Sequence, residues 1–230
     1  MATLGEYLGA GSGTTKLLLH LNGSSADSSG NGNNGTDTAI TYSQANGRFG
    51  MGAGFNGSTS VIDTGTYLAG MVNDFTISVW VKPGEPQMDY ACIYGNQNQA
   101  NYPSVPFKGC ALQQSASTDN TFYFTFGVSS TVADTTTFAL TPSVWSKVDV
   151  VKSSSAGTKV YVNGVQVAST ATNTDMVACD TYTFKIGRGW QGGNRLFKGA
   201  IDEVIIDATA WSAEKVKKQF TYAKGRFGII

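Results

Sequence analysis

The sequence predicts an all-β protein, two antiparallel sheets packed as a sandwich with one short helix near the C-terminus. Three observations carry this. From Lys16 onward, short runs of β-branched and aromatic residues recur, each bounded by Gly, Asn, Asp, Ser or Pro. Within several runs apolar and polar residues alternate, which gives a strand one buried face. Only one segment carries helix punctuation, and no linker-like stretch divides residues 16–230, so the strands are read as one domain.

Taken in order, residues 1–15 read as a flexible N-terminal arm. Gly9 to Thr15 contains Gly-Ala-Gly-Ser-Gly, and Leu4, Tyr7 and Leu8 are the sizeable apolar groups beyond Met1. Phe75, Ile77, Val79 and Val81 alternate with Thr76, Ser78, Trp80 and Lys82, and Phe122, Phe124 and Phe126 alternate with Thr121, Tyr123 and Thr125. Each is expected to bury one face. Trp145 to Val151 alternates likewise. Thr158 to Val162, then Asn163-Gly164, then Val165 to Ala168 is a hairpin around a turn dipeptide that tolerates positive φ. Ser212 is placed to cap a helix from Ala213 to Phe220, with Trp211, Val216 and Phe220 docking on the sheets.

Composition excludes several roles. Charged residues make up 14% of the chain, against about 25% in an average domain, while 28 glycines and many Ser, Thr and Asn fill the gaps between apolar runs. Sixteen basic residues balance sixteen acidic ones, so no basic field draws in nucleic acid. No apolar window is long enough to span a membrane, and the N-terminus lacks the basic head and apolar core of a secretory signal. Cys92, Cys110 and Cys179 are too scattered for a disulfide framework or zinc site and read as small buried hydrophobes. The Asn-Gly-Ser/Thr triplets at Asn22, Asn34 and Asn56 read as turns.

Several segments in order resemble the laminin-G-like jelly rolls of the concanavalin A-like lectin and glucanase superfamily. These are Lys16 to Gly23, Asp27 to Thr36, Phe55-Asn56-Gly57, Phe75 to Pro83, the Val160 to Gly164 hairpin, Ile186-Gly187-Arg188, and Phe197 to Val204. The opening Thr-Lys-Leu-Leu-Leu-His is similar to free-standing members that occur as bacteriophage particle proteins. The resemblance implies a two-sheet antiparallel jelly-roll sandwich over residues 16–230, one sheet concave, with ligand sites on the concave face or its rim loops.

Members that resemble β-glucanases carry Glu-x-Asp-x-Glu on one strand, and nothing here matches. The four glutamates are Glu6, Glu85, Glu203 and Glu214. Asp202 and Glu203, being adjacent on a strand, are expected on opposite faces and not as an acid–base pair. His20, the one histidine, is read inside an apolar strand, away from any nucleophile. The chain is therefore expected to be no enzyme. The resemblance further implies a structural calcium ion at Asp27 and Asp202, with Asn22 and Gly35 contributing oxygens. The alternative makes Asp27 a plain turn residue and gives Asp202 to a loop hydrogen bond.

Sugar binding needs an exposed ring flanked by amides and hydroxyls. Two loops qualify: Tyr90, Tyr94, Asn96, Gln97, Asn98, Gln99, Asn101 and Tyr102, and Gly189 to Arg195 with Trp190 and Asn194. The ligand candidates are Trp190, Asn194, Arg195, Tyr94, Asn98 and Tyr102; the alternative is loop packing or contact with a neighbouring subunit. Trp80, Trp145 and Trp211 read as packing residues. Two functions are compatible with this. One is a non-catalytic virion or surface structural protein, a phage capsid decoration or tail component that docks through its arm in a homo-oligomer or larger assembly. The other is a lectin-like adhesion module for surface glycans. Either way the expected location is a virion or an extracellular surface, without a signal peptide.

Overall fold

The computed structural model describes residues 13–68, 70–98, 107–115, 120–128, 131–190, 193 and 195–227. The strands are β1 (Thr15–Leu19), β2 (Thr36–Thr38), β3 (Thr41–Ser43), β4 (Gly52–Asn56), β5 (Val61–Asp63), β6 (Phe75–Pro83), β7 (Cys92–Gly95) and β8 (Cys110–Gln114). They continue with β9 (Thr121–Val128), β10 (Thr131–Asp134), β11 (Phe138–Ala139), β12 (Ser146–Ser153), β13 (Gly157–Val162), β14 (Val165–Thr170), β15 (Lys185–Ile186) and β16 (Lys198–Asp207), followed by helix α1 (Ala213–Phe227).

These strands form two antiparallel eight-stranded sheets, as the sequence predicts. The first runs β14-β13-β12-β6-β16-β4-β3 with β1 also on β16; the second runs β10-β9-β8-β7-β15-β5-β2 with β11 on β9. Leu17, Leu19, Ile77, Val79 and Ile206 of the first sheet meet Ile93, Leu112, Phe122, Phe124 and Phe126 of the second in one buried core. Each such side chain contributes about 1.5–3 kcal/mol by leaving water. The predicted hairpin is present: Val162 pairs with Val165, and Asn163 and Gly164 take φ of 52° and 79°, the two left-handed residues of a tight hairpin turn. Ser212 caps α1 through its hydroxyl, which accepts from the Lys215 N–H at 3.1 Å.

Three expectations are corrected. Thr14 and Thr15, assigned above to the arm, belong to the sandwich: the Thr14 carbonyl accepts from the Ala208 N–H and Thr15 pairs with Asp207. The rest of the arm, residues 1–12, lies outside the described residues. The helix runs seven residues past Phe220 to Phe227. Finally, β6 and β12 bury both faces rather than one. Their outer face lies under α1, where Leu18, Val151, Tyr161, Ile205, Trp211 and Val216 form a second apolar cluster. Phe220 stacks on Trp80 at 6.0 Å.

Candidate functional site

On β8 and β9 the period of two turns Leu112, Phe124 and Phe126 inward, so Gln113 and Tyr123, which pair with each other, stand on the outer face of the second sheet. Across this face lie the described parts of the excursion that follows β15, residues 187–190, 193 and 195–197. Both its ends are sewn to β7. Gly187 N–H donates to the Ile93 carbonyl at 2.8 Å, and Cys92 N–H donates to the Arg195 carbonyl at 3.0 Å. In the middle, Gln97 N–H donates to the Gly189 carbonyl at 2.8 Å. A Cβ on Gly189 would stand 3.0 Å from Cys92 Cβ and from the Tyr94 carbonyl oxygen, so glycine lets the backbone lie close on the strands.

This stitching brings three side chains together. The Arg195 guanidinium carbon lies over the Trp190 ring at 3.8 Å from its centroid and over the Tyr90 ring at 4.7 Å. Arg195 Nη1 donates to Gln113 Oε1 at 3.3 Å, and Gln113 Nε2 donates to the Tyr123 hydroxyl. Tyr90 is 41% exposed, while Trp190 and Arg195 are half-buried. Arg188 approaches the same loop, donating from Nη2 to the Gly193 carbonyl at 3.4 Å. Burial pushes the Cys92 thiol beneath them up to about 12, against the pull of both guanidiniums. The thiol is therefore neutral near pH 7, which removes it as a nucleophile.

Of the predicted ligand residues, Trp190 and Arg195 meet here. Trp190 is covered on one side by Arg195 instead of standing free among its glycines. Tyr94 is a correction: it is fully buried and stacks on Phe184 at 5.6 Å, because its segment is strand β7, in register with inward-facing Leu112. Asn96 and Gln97 are buried as well, and Asn96 spends its amide on the Tyr67 carbonyl and the Cys110 N–H. Asn98 donates its amide to Thr181 Oγ1. Tyr102 and Asn194 lie outside the described residues. Gln113, Tyr123 and Arg188 were missed. The alternation at 121–126 already set Tyr123 opposite the phenylalanines, but nothing local said which outer face a loop rather than the helix would cover.

The residues carried over for calcium are engaged separately. Asp27 Oδ1 accepts from the Leu18 and Ser29 N–H groups, and Oδ2 from the Asn33 N–H and the Ser29 hydroxyl. Burial works against ionisation, yet these donors hold the carboxyl below the usual range. Asn22 Oδ1 accepts from Met51 N–H, and the Gly35 carbonyl from Ser25 Oγ. Asp202 Oδ2 accepts from the Arg48 and Phe49 N–H groups at 2.7 and 3.0 Å, while Oδ1 is buried without a partner. Among the described residues no three His, Cys, Asp or Glu groups are gathered as a metal set. As arranged, the oxygens of Asp27, Asn22 and Gly35 accept hydrogen bonds from within the chain, and Asp202 Oδ1 alone of the four residues' side-chain oxygens is buried without one.

Asp202 and Glu203 also depart from expectation. A bulge shifts the register between Asp202 and Ile205, and Glu203 takes a φ of 50°, so strict alternation fails. Glu203 receives His20 Nδ1 at 2.9 Å, just past the end of β1. Burial raises the Asp202 carboxyl to about 7, with the Glu203 charge adding to it. Both carboxyls are shut away from solvent, and His20 is held by an acid rather than sitting within an apolar strand.

A family profile described as the concanavalin A-like lectin/glucanases superfamily, of laminin G type, matches residues 56–217. A search of curated proteins finds no significant match. Among solved structures, domain 4 of AbnA, a GH43 extracellular arabinanase from Geobacillus stearothermophilus in complex with arabinotriose, superposes with a TM-score of 0.69 at 23% identity, covering 90% of this chain and 98% of that one. The binding domain of Paraclostridial Mosquitocidal Protein 1 gives 0.65 at 17%, with 91% and 52% covered. The binding domain of botulinum neurotoxin DC in complex with SialylT gives 0.61 at 12%, again with 91% and 52%. The chain spans about half the length of the two toxin domains, and at these identities the likeness is one of fold. Among the described residues, no helix is long and apolar enough to cross a membrane.

Proposed function

Because the chain belongs to the concanavalin A-like lectin/glucanases superfamily, we propose that it is a non-catalytic carbohydrate-binding module, holding a saccharide against the outer face of the second sheet. The observation that carries this is the group of Tyr90, Trp190 and Arg195 on that face. An exposed ring offers a flat apolar surface to the C–H face of a pyranose or furanose, and the Tyr123 hydroxyl and the Arg195 donors, both steadied by the buried Gln113 amide, supply directional bonds at its edge. The relatives solved with arabinotriose and with SialylT support a glycan ligand. They favour this reading over a phage-particle subunit, since none of the relatives named above is a particle protein. Glycan binding would place the protein at an extracellular surface.

A glycan array followed by calorimetric titration of the best ligand tests the proposal. Tyr90→Ala and Trp190→Ala should each weaken binding by about tenfold or more, the worth of one stacked ring, and the ligand should be returned uncleaved. Undiminished binding in both variants would overturn the site. Release of reducing sugar would overturn the non-catalytic reading.

A further inference from the structure

Building on that carbohydrate-binding reading, we infer that the saccharide carries a carboxylate, and that Arg195, assisted by Arg188, is the group that recognises it. Among the described residues, Lys108 meets Asp180, Lys185 meets Asp63, Lys147 meets Asp149 and Lys215 meets Asp207. Among the same described residues, neither Arg188 nor Arg195 has a carboxylate within ion-pair distance. Instead Arg195 spends one donor on a neutral amide oxygen, Gln113 Oε1, and Arg188 one on the neutral Gly193 carbonyl, while Arg188 Nε is buried without any partner. Two guanidiniums flanking one loop, both half-buried and matched among the described residues only to neutral acceptors, place positive charge there that no described carboxylate pairs with.

Position adds specificity to this charge. Lying over two rings fixes the Arg195 plane and lowers its hydration. Gln113, oriented by Tyr123, holds one Nη, so the free edge of the fork is presented with little rotamer entropy left to lose. A planar fork of N–H donors matches a carboxylate in two parallel, charge-assisted bonds. Asp134 acts on Tyr123 electrostatically but forms no ion pair with Arg195, so it does not compete for the fork. A neutral sugar would use the rings and amides and leave the guanidinium charge unmatched. A uronic acid or a sialic acid would fill it; both present a carboxylate beside a sugar ring and differ in where it is attached.

Calorimetric titration of the whole chain with matched pairs separates these sources: sialyllactose against lactose, and oligogalacturonate against its methyl ester. In at least one pair the acid should bind about tenfold or more tightly than its neutral counterpart, the usual worth of a hydrogen bond to a charged group. Arg195→Gln should abolish that preference while lowering the melting temperature by no more than about a degree or two. Arg195→Lys, which keeps the charge and loses the fork, should restore only part of it. Equal affinity for acid and neutral members, unaltered by Arg195→Gln, overturns the inference and leaves carbohydrate binding standing. Absence of binding to every sugar in the panel and the array overturns both.

Discussion

The outer faces of the two sheets begin from similar alternating strands and meet different surroundings. On the first sheet, Lys147, Asp149 and Asp207 point away from the core and are nonetheless almost wholly buried, because Trp211 and α1 lie over them. Lys147 pairs with Asp149 and donates to Ser78 Oγ at 2.8 Å. On the second sheet, Gln113 also points away from the core and is equally buried, with Tyr123 half-buried beside it, but what covers them is a loop whose Trp190 and Arg195 are themselves half-exposed, next to the exposed Tyr90. The difference teaches that a polar residue on an outer strand face acquires its role from what covers it. Under a helix, charges must be matched within the chain or cost several kcal/mol. On a loop that is itself half-exposed, a guanidinium with only neutral acceptors keeps an edge within reach of a ligand.

The largest effect that would break this contrast lies under the helix. Asp149→Ala leaves the Lys147 charge without its partner, and urea unfolding should report a loss of about 3–5 kcal/mol; the double change Lys147→Met with Asp149→Leu should recover most of it. A loss below about 1 kcal/mol would mean that water reaches this face and the contrast fails.

Next in size is a pH effect at Asp202, whose register partner is Trp80 on the same covered face. Burial holds its carboxyl near 7 in the folded chain, while the unfolded chain releases that proton near 4. Between these values the native state binds more protons than the unfolded one, so stability falls as pH rises from about 4 to about 7, by up to about 4 kcal/mol. His20, raised chiefly by its hydrogen bond to Glu203, acts in the same direction: its contribution is complete below about 6.5 and fades as pH rises through its folded value. Asp202→Asn should flatten the carboxylate part of the slope in unfolding curves taken across this range.

The smallest expected effect is on the open face. Arg195→Gln should cost about 0.5 kcal/mol of stability, although it should abolish the preference for acidic sugars. A cost of several kcal/mol in the same urea experiment would recast Arg195 as a structural clamp, and the two faces would no longer differ.

What could be read in advance was what is local. Alternation at 75–82 and 121–126 marks strands because successive side chains leave a pleated strand on opposite sides. Asn163-Gly164 marks a hairpin because two left-handed residues match the twist of the flanking strands, and Ser212 marks a helix start because a hydroxyl can accept from the Lys215 N–H. From these residues the sequence alone determined an antiparallel sandwich closed by a helix, and its ordered motifs pointed to the superfamily. Tyr94, Glu203 and Arg195 show what it could not determine. Tyr94 lay in a run that looked like an amide-rich loop, and only its pairing with Leu112 turns it into the core. At Glu203 a bulge adds one residue and cancels a period-two argument that was sound up to that point. Arg195 meets Tyr90 and Gln113 across more than eighty residues of chain, so its setting comes from how β7, β8 and the 187–197 excursion are stitched together. Which outer face α1 covers is likewise decided by where the chain returns after β16, and that cover separates a buried charge pair from a face open to ligand.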